Sequence, residues 1–300
     1  MEGFENYIDM TTINTHNEIK EAAKNYTIFG RVSPMQKRDL MKALKELGHT
    51  VAMTGDGVND VLALKEADCS IAIASGSDAA RNVSQLVLLD SNFGSMPKIV
   101  AEGRRTINNI ERSAQLFLVK TIYSTILALL FVFISMPYPF KPIQLTMFSV
   151  ATIGIPSFVL ALQPNKARVS GSFLQNVLSK SVPTSLTVVC NILLTILFAK
   201  IFKMNFEIYS TICVLLTSIT AFILLFKLCR PFNLLRAGLW CSMAILFLIE
   251  VTIFRELFYI SVLSTKEMLI LVTLVIISIG IYLMFSYLVK HIKIVKRRNA

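Results

Sequence analysis

From Ser113 onward the sequence is dominated by six mainly apolar stretches, 113–135, 143–162, 182–202, 208–228, 234–254 and 268–288. Each approaches the roughly 20 residues that a helix needs to cross the hydrocarbon core of a bilayer. In lipid every backbone N–H and C=O must be satisfied internally, so runs of this length predict helices. Residues 111–300 are therefore expected to form an all-α six-helix transmembrane bundle, with neighbours antiparallel because the connecting loops are short. Residues 1–110 are mixed and charged, and read as a separate soluble domain. Composition fits such a two-part chain: 54% of the 300 residues are hydrophobic and the mean hydropathy is +0.62, too apolar for one soluble domain.

A formal net charge of +11 raises the question of a nucleic-acid partner. The basic residues, however, lie beside apolar spans rather than among aromatics on a soluble surface, so the membrane accounts for them and no nucleic acid is expected. Lys166, Arg168 and Lys180 follow the second span, Arg230 and Arg236 the fourth, and Lys290, Lys293, Lys296, Arg297 and Arg298 the sixth. The opposite loops are poorer, with Lys141, Lys203 and Lys266 among their few basic residues. The positive-inside rule then puts the soluble domain and both termini in the cytoplasm of an integral cell-membrane protein, with the lipid bilayer as its partner. Cys69, Cys190, Cys213, Cys229 and Cys241 show no C-x-x-C spacing, which predicts neither a disulfide nor a cysteine metal site. The acidic start at Met1 lacks an apolar core and does not read as a signal peptide.

In the soluble part, Thr15 is placed to cap a helix running through Ala22 and Ala23, and Thr27–Phe29 reads as a short strand. Ser33 is a natural N-cap with Pro34 at the first helical position; Leu40, Leu44 and Leu47 make the apolar face, and Gly48 ends the helix. This puts Lys37 in the first turn, where its ammonium can reach a phosphoryl oxygen. The run Val51–Thr54 reads as a buried strand that breaks at Gly55-Asp56-Gly57 and continues as a helix from Asn59. Gly55 and Gly57 leave the turn open so that backbone can approach a bound group closely, and with Thr54 they are the candidate cofactor-binding residues. Asp56 and Asp60 stand four apart where strand becomes helix, and hard cations such as Mg²⁺ take one or two carboxylates together with phosphate oxygens and water. Further strands at Ser70–Ala74 and Leu86–Leu89, with a helix opened by Ser75-Gly-Ser-Asp, complete a parallel α/β pattern whose ligands gather at the carboxyl ends of strands.

These residues resemble a known family. The runs Gly30-Arg-Val-Ser-Pro-Met-Gln-Lys, Met53-Thr-Gly-Asp-Gly-Val-Asn-Asp, Ala67-Asp and Ser75-Gly-Ser-Asp are similar to the second half of the phosphorylation domain of P-type cation-transporting ATPases. That domain is of haloacid-dehalogenase type. Glu102-Gly-Arg-Arg-Thr-Ile-Asn-Asn-Ile and Pro142-Ile-Gln-Leu continue the likeness into the membrane. The resemblance implies that Asp56 binds a catalytic Mg²⁺, with Asp60 beside it at the metal site. It also implies that Asn59 and Asp60 support the phosphorylated site by hydrogen bonding, and that Lys37 neutralises an aspartyl-phosphate and its transition state. ATP is then the substrate of the intact pump, and Ca²⁺ or another divalent cation the cargo.

The departures from the family pattern set a second expectation. The 300 residues hold no D-K-T-G-T, whose aspartate accepts the phosphoryl group in the family, no T-G-E-S loop, and no usual nucleotide-binding segment. Asp9, followed by Met10, Thr11 and Thr12, faintly resembles a haloacid-dehalogenase nucleophile. With no buried strand read before it and Lys37 so close in sequence, that role is rejected. The chain is thus expected to be the C-terminal part of a pump, not competent alone, whose partner is an upstream half-chain carrying D-K-T-G-T. Met1 reads as a start inside a longer ancestral reading frame or as an incomplete gene product. The alternative is a non-catalytic, membrane-embedded protein that keeps a Mg²⁺- and phosphate-binding fold. With half of the sheet absent, an unpaired strand edge is expected.

Inside the membrane, polar groups are costly and mark function. Thr121 and Ser124 in the first span and Ser149 and Thr152 in the second form the clearest set, as ion ligands or as hydrogen bonds between helices. The resemblance implies that matching positions in calcium pumps carry amides and carboxylates, and Ile153 stands where a second-span carboxylate is expected. Gly154 and Pro156 are expected to interrupt the second helix and free carbonyl oxygens for a cation. Lys120, about two turns into its span, is expected to snorkel, with a built-in counter-charge as the alternative. Glu250 is expected to pair with Arg255 as a structural contact, with a role in the ion pathway as the alternative.

Overall fold

The computed structural model describes residues 6–13, 15–165 and 167–298, with burial and side-chain contacts through His291. Lys166 and the side chains of Lys293, Lys296, Arg297 and Arg298, used above for orientation, lie outside the described residues. The chain divides into two compact units, residues up to Val100 and residues from Ala101. This division falls ten residues before the 110 expected from hydropathy. The reason is local: the helix that carries the first apolar span begins at Met96, well before the apolar run itself.

The first unit alternates strand and helix: β1 (Tyr7–Asp9), α1 (His16–Asn25), β2 (Ile28–Gly30), α2 (Pro34–Glu46), β3 (Ala52–Gly55), α3 (Val61–Glu66), β4 (Cys69–Ile73), α4 (Asp78–Val83) and β5 (Leu86–Leu88). Local chemistry sets the helix ends. Thr15 and Glu18 close a capping box on α1, Ser33 and Gln36 close another on α2, and Gly48 takes φ +86° just past the end of α2. All strand pairs are parallel, with Met53 opposite Ser70 and Ile71 opposite Leu86. They form two sheets, β1-β2 and β3-β4-β5, rather than the single sheet read from the sequence. Among the described residues β3 pairs with β4 alone, so its other edge is free.

β1 corrects the sequence reading. Asp9 ends a strand that the sequence did not mark, paired in register with Phe29 and Gly30, but none of its residues is buried, as was expected of the stretch before Asp9. Period-two burial is absent from so short and exposed a segment, which is why it left no pattern. The Asp9 carboxylate serves the local backbone: it accepts from the Thr11 N–H (3.1 Å) and hydroxyl (2.8 Å), and pairs with Arg31.

The second unit is α5 (Met96–Phe131), α6 (Pro142–Ser149), a π-helical turn (Val150–Gly154), α7 (Ile155–Leu162), α8 (Phe173–Ile201), α9 (Phe206–Cys229), α10 (Leu234–Thr252) and α11 (Thr265–Arg298). With α6, the π turn and α7 taken as one, six helices are long and apolar enough to cross a membrane. α8 and α9 are the most enclosed, with 61% and 72% of their spans buried, and the others pack around them. The core gathers Tyr123, Phe140, Phe148, Ile192, Tyr209 and Leu224. Polar residues tie the helices across this core. Asn191 of α8 donates to Thr220 Oγ1 of α9 (3.1 Å) and to Ser278 Oγ of α11 (2.8 Å), a three-helix clasp buried from solvent. Gln144 of α6 accepts from the Ser210 hydroxyl of α9 (3.2 Å) and donates to the Tyr259 carbonyl (3.3 Å). Replacing Asn191 with alanine should destabilise the bundle by about 1 kcal/mol, in the range of interhelical hydrogen bonds in membranes. Thr273→Ala, at an exposed hydroxyl bonded only to its own helix, should cost less. Unfolding midpoints of both variants in detergent would test this, and equal shifts would contradict it.

Candidate functional site

The carboxyl end of β3 is built around Asp60. Gln36, at the start of α2, donates to the carbonyls of Met10 (2.8 Å) and Ile13 (2.9 Å), which fixes the first turn of that helix. Lys37 then projects from α2 to Asp60, with Nζ 2.6 Å from Oδ1. The second carboxylate oxygen, Oδ2, accepts from the backbone N–H groups of Asp56 and Gly57, each at 3.3 Å. Burial pushes the Asp60 carboxyl up, but the hydrogen bond from Lys37 and those from the two amides outweigh it and hold it below the usual carboxylate range. Gly55 is required here: a Cβ on it would lie 2.5 Å from the Asp60 Cβ.

A second clamp acts on Asp56. Ser77 N–H donates to the Asp56 carbonyl at 2.7 Å, and a Cβ at Gly76 would meet that same oxygen at 2.7 Å. The Ser75–Asp78 turn therefore does more than open α4; it presses backbone to backbone against the β3 turn. Sequence reading placed this turn in the fold but not in the site. The glycine between two serines was the available signal.

The predicted residues thus fall into two groups. Lys37, Gly55, Asp56, Gly57 and Asp60 are brought together, with Thr54 half-buried one residue earlier in β3. Asn59 is exposed on the turn that joins Gly57 to Asp60. The Asp56 carboxylate is exposed and makes no ion pair or hydrogen bond among the described residues, so it is open to a hard cation. Both Asp60 oxygens accept hydrogen bonds within the protein, whereas the Asp56 carboxylate accepts none among the described residues. No group of three or more His, Cys, Asp or Glu among the described residues could hold a metal by itself. One carboxylate with the remaining ligands from water and phosphate oxygens is the donor set that suits Mg²⁺.

In the membrane unit, Lys120 does not snorkel: its Nζ donates to Ser149 Oγ at 3.0 Å, joining α5 to α6. Lys120, Tyr123, Phe148, Thr152, Ile153 and Thr217 share the lining of a cavity of about 10 Å³, close to the space of one water. Thr152 donates to its own Phe148 carbonyl at 2.7 Å. Thr121 and Ser124 return their hydroxyls to α5 carbonyls and do not line this cavity. The helix distortion expected at Gly154 and Pro156 is a π turn that ends at Gly154, just before the proline that lacks an N–H. Glu250 is not paired with Arg255: its Oε2 is buried without a partner, and Arg255 faces a separate cavity beside Lys141 and Tyr259.

No protein-family profile matches the chain. It is 42% identical over 246 residues to the probable cation-transporting ATPase exp7 of Streptococcus pneumoniae, covering 78% of this chain and 31% of that protein. It is 50% identical over 181 residues to the calcium-transporting ATPase CtpE of Mycobacterium bovis, covering 57% of this chain and 23% of that one. The chain therefore spans less than a third of the length of either relative. A solved catalytic domain of the CPx-ATPase CopB-B aligns with 34% identity over 29% of this chain and 35% of its own, at a TM-score of 0.24. The sequence relatives of the chain are P-type ATPases, and 78% of the chain aligns with one of them. Its relatives are the cation-transporting members of that family.

The two clamps make neighbouring glycines unequal. Gly76→Ala should destabilise the first unit by about 1–3 kcal/mol, the usual cost of forcing atoms into a packed site. Gly57→Ala, whose Cβ would meet nothing closer than 3.8 Å, should be nearly silent; thermal unfolding that ranked the two equally would contradict this. The lowered Asp60 carboxyl contributes stability above its unfolded value, near pH 4, and that contribution is lost as pH falls through the folded one. The stability gap between wild type and Asp60→Asn should therefore be full at neutral pH, at about 1–2 kcal/mol for a half-exposed lysine partner, and close on acidification below about pH 4. Denaturant titrations across that range would measure it.

Proposed function

We propose that the chain is the C-terminal portion of an ATP-driven P-type cation pump. The observation that carries this reading is the Lys37–Asp60 ion pair, locked by two backbone amides beside the open carboxylate of Asp56. Such a site suits a phosphoryl group. The Asp56 carboxylate would hold Mg²⁺, whose chemistry there is to draw negative charge from phosphate oxygens. Lys37 supplies a positive charge at the same place, and Asp60 fixes its ammonium in position. Gly55 and Gly57 let the turn approach the bound group, with Thr54 and Asn59 at its margin. ATP is the phosphoryl source, and because the 300 residues hold no D-K-T-G-T, the acceptor aspartate comes from polypeptide outside them.

The membrane unit would provide part of the cation path. Ser149, Thr152, Gly154 and Pro156 lie on or beside the π turn, where the missing Pro156 N–H would free a carbonyl oxygen for a cation, and the pathway set includes Thr121 and Ser124 of α5. Relatives named for calcium transport favour Ca²⁺ as cargo, while a Toxoplasma gondii relative, 37% identical over 163 residues, is named as a sodium-transporting ATPase. With the positive-inside pattern, the first unit and both termini would face the cytoplasm.

The test is to express the chain with a D-K-T-G-T-bearing partner and seek acid-stable phosphoprotein in membranes given ATP and Mg²⁺. Asp56→Ala should reduce it by about a hundredfold or more, the scale of losing one major electrostatic contact in the transition state. Phosphoprotein unaffected by Asp56→Ala would remove this site from the reaction. None with any partner would favour a non-catalytic phosphate-binding role. Dependence of the phosphoprotein on Ca²⁺ or on Na⁺ would assign the cargo.

A further inference from the structure

At one end of the bundle, a groove of about 430 Å³ runs along α5 and meets α7 at Ala161. Its polar wall is Arg105, Thr106, Asn109 and Ser113, and its apolar wall includes Ile110 and Ala114. From Arg105 to Ala114 the helix rises about 14 Å. That length exceeds the headgroup layer on one side of a bilayer, so the groove reaches from headgroups into the first hydrocarbon. Ser113 is also where the apolar run of α5 begins.

Asn109 is only 5% exposed, and its amide donates to the carbonyls of Ala161 (2.7 Å) and Gln163 (3.0 Å). This fixes the amide orientation and leaves Oδ1 buried with no donor. A buried orphan acceptor of this kind is costly, at about 1–3 kcal/mol, unless something donates to it. Behind Asn109, the Arg236 Nε donates to Gln163 Oε1 at 2.6 Å, so that Gln163 Nε2 is left without a partner. Arg112 Nη1 is likewise buried and unpaired, and its charge repels that of Arg236. Among the described residues no ion pair joins either arginine to an acid, and Arg105 has only the exposed Glu102 one turn earlier. Among the described residues Arg112 and Arg236 thus carry positive charge that no acid pairs with, and this corner of the bundle is left with an excess of it.

We propose that the groove binds an anionic glycerophospholipid. Its phosphate lies against Arg105 and Thr106, where the field of Arg112 and Arg236 adds to the attraction. The start of its acyl chain follows Ile110 and Ala114. Each feature selects against another occupant. A choline headgroup brings a positive charge, whereas inorganic phosphate would leave the apolar wall bare. Basic pockets between transmembrane helices hold acidic headgroups by the same electrostatics.

The experiment uses the whole chain in detergent. Its thermal unfolding is titrated with phosphatidylglycerol, with phosphatidylcholine of identical acyl chains, and with inorganic phosphate. Phosphatidylglycerol should stabilise with an apparent affinity about fivefold or more above phosphatidylcholine, the effect expected of one well-placed arginine. In R105Q/T106V that preference should fall to near parity while the response to phosphatidylcholine stays as in wild type. Should the double variant not fold, mass spectrometry of the wild-type chain purified from mixed membranes gives a direct reading. Phosphatidylglycerol should then be retained above its bulk fraction. Equal stabilisation by both lipids, a preference unchanged in R105Q/T106V, stabilisation reproduced by inorganic phosphate, or no lipid enrichment would overturn the assignment.

Discussion

In hydrocarbon a polar group finds its partner inside the protein or does not belong there, and the second unit is organised by that constraint. Most buried hydroxyls answer it locally. Thr184, Thr187, Thr195 and Ser218 each return a hydrogen bond to the carbonyl four residues earlier on their own helix, at 2.7–2.9 Å. A smaller set reaches across, and these residues set the helix arrangement: Asn191 to α9 and α11, Gln144 to α9, and Ser185 to the Val119 carbonyl of α5. The few groups with no answer are therefore informative. Asn109 Oδ1, Arg112 Nη1 and Gln163 Nε2 cluster at one end of the bundle, and the Thr217 hydroxyl lines the small cavity beside Lys120.

The first unit solves a different problem, that of holding two acidic residues close together in a tight turn. Asp60 is made part of the scaffold by Lys37 and two amides, while Asp56 is fixed only through its backbone and keeps its carboxylate free. The division of labour follows from where each sits. Asp60 lies one turn on, under β3 and against Gly55, whereas Asp56 stands at the strand end and faces outward.

Much of this was legible in the sequence. The six apolar runs fixed the number of membrane-length helices, and the caps at Ser33 and Thr15 and the glycine at Gly48 marked helix ends to within a residue or two. The Lys37–Asp60 pairing was within reach, since the Pro34 start of α2 and the β3 turn put both groups at the same end of the sheet. What escaped was long-range or weakly patterned. β1 is three half-exposed residues with no periodicity. Hydroxyl-bearing residues gave no sign of which would bond across helices, because the side each faces depends on packing between segments distant in sequence. Lys120 read as a snorkelling lysine because hydropathy records depth but not the neighbour, Ser149, that captures it.

The free edge of β3 has a directional consequence. Every strand pair in the first unit is parallel, and β3 ends at Gly55, immediately before Asp56. Any strand that zipped onto that open side in the same sense would end level with the turn. The residue just past its last hydrogen bond would then be delivered next to the one carboxylate in the site that has been left unoccupied by protein. The bare edge thus acts as an address as well as a liability: it specifies where an incoming segment's chemistry would land before any side chain on that segment is known.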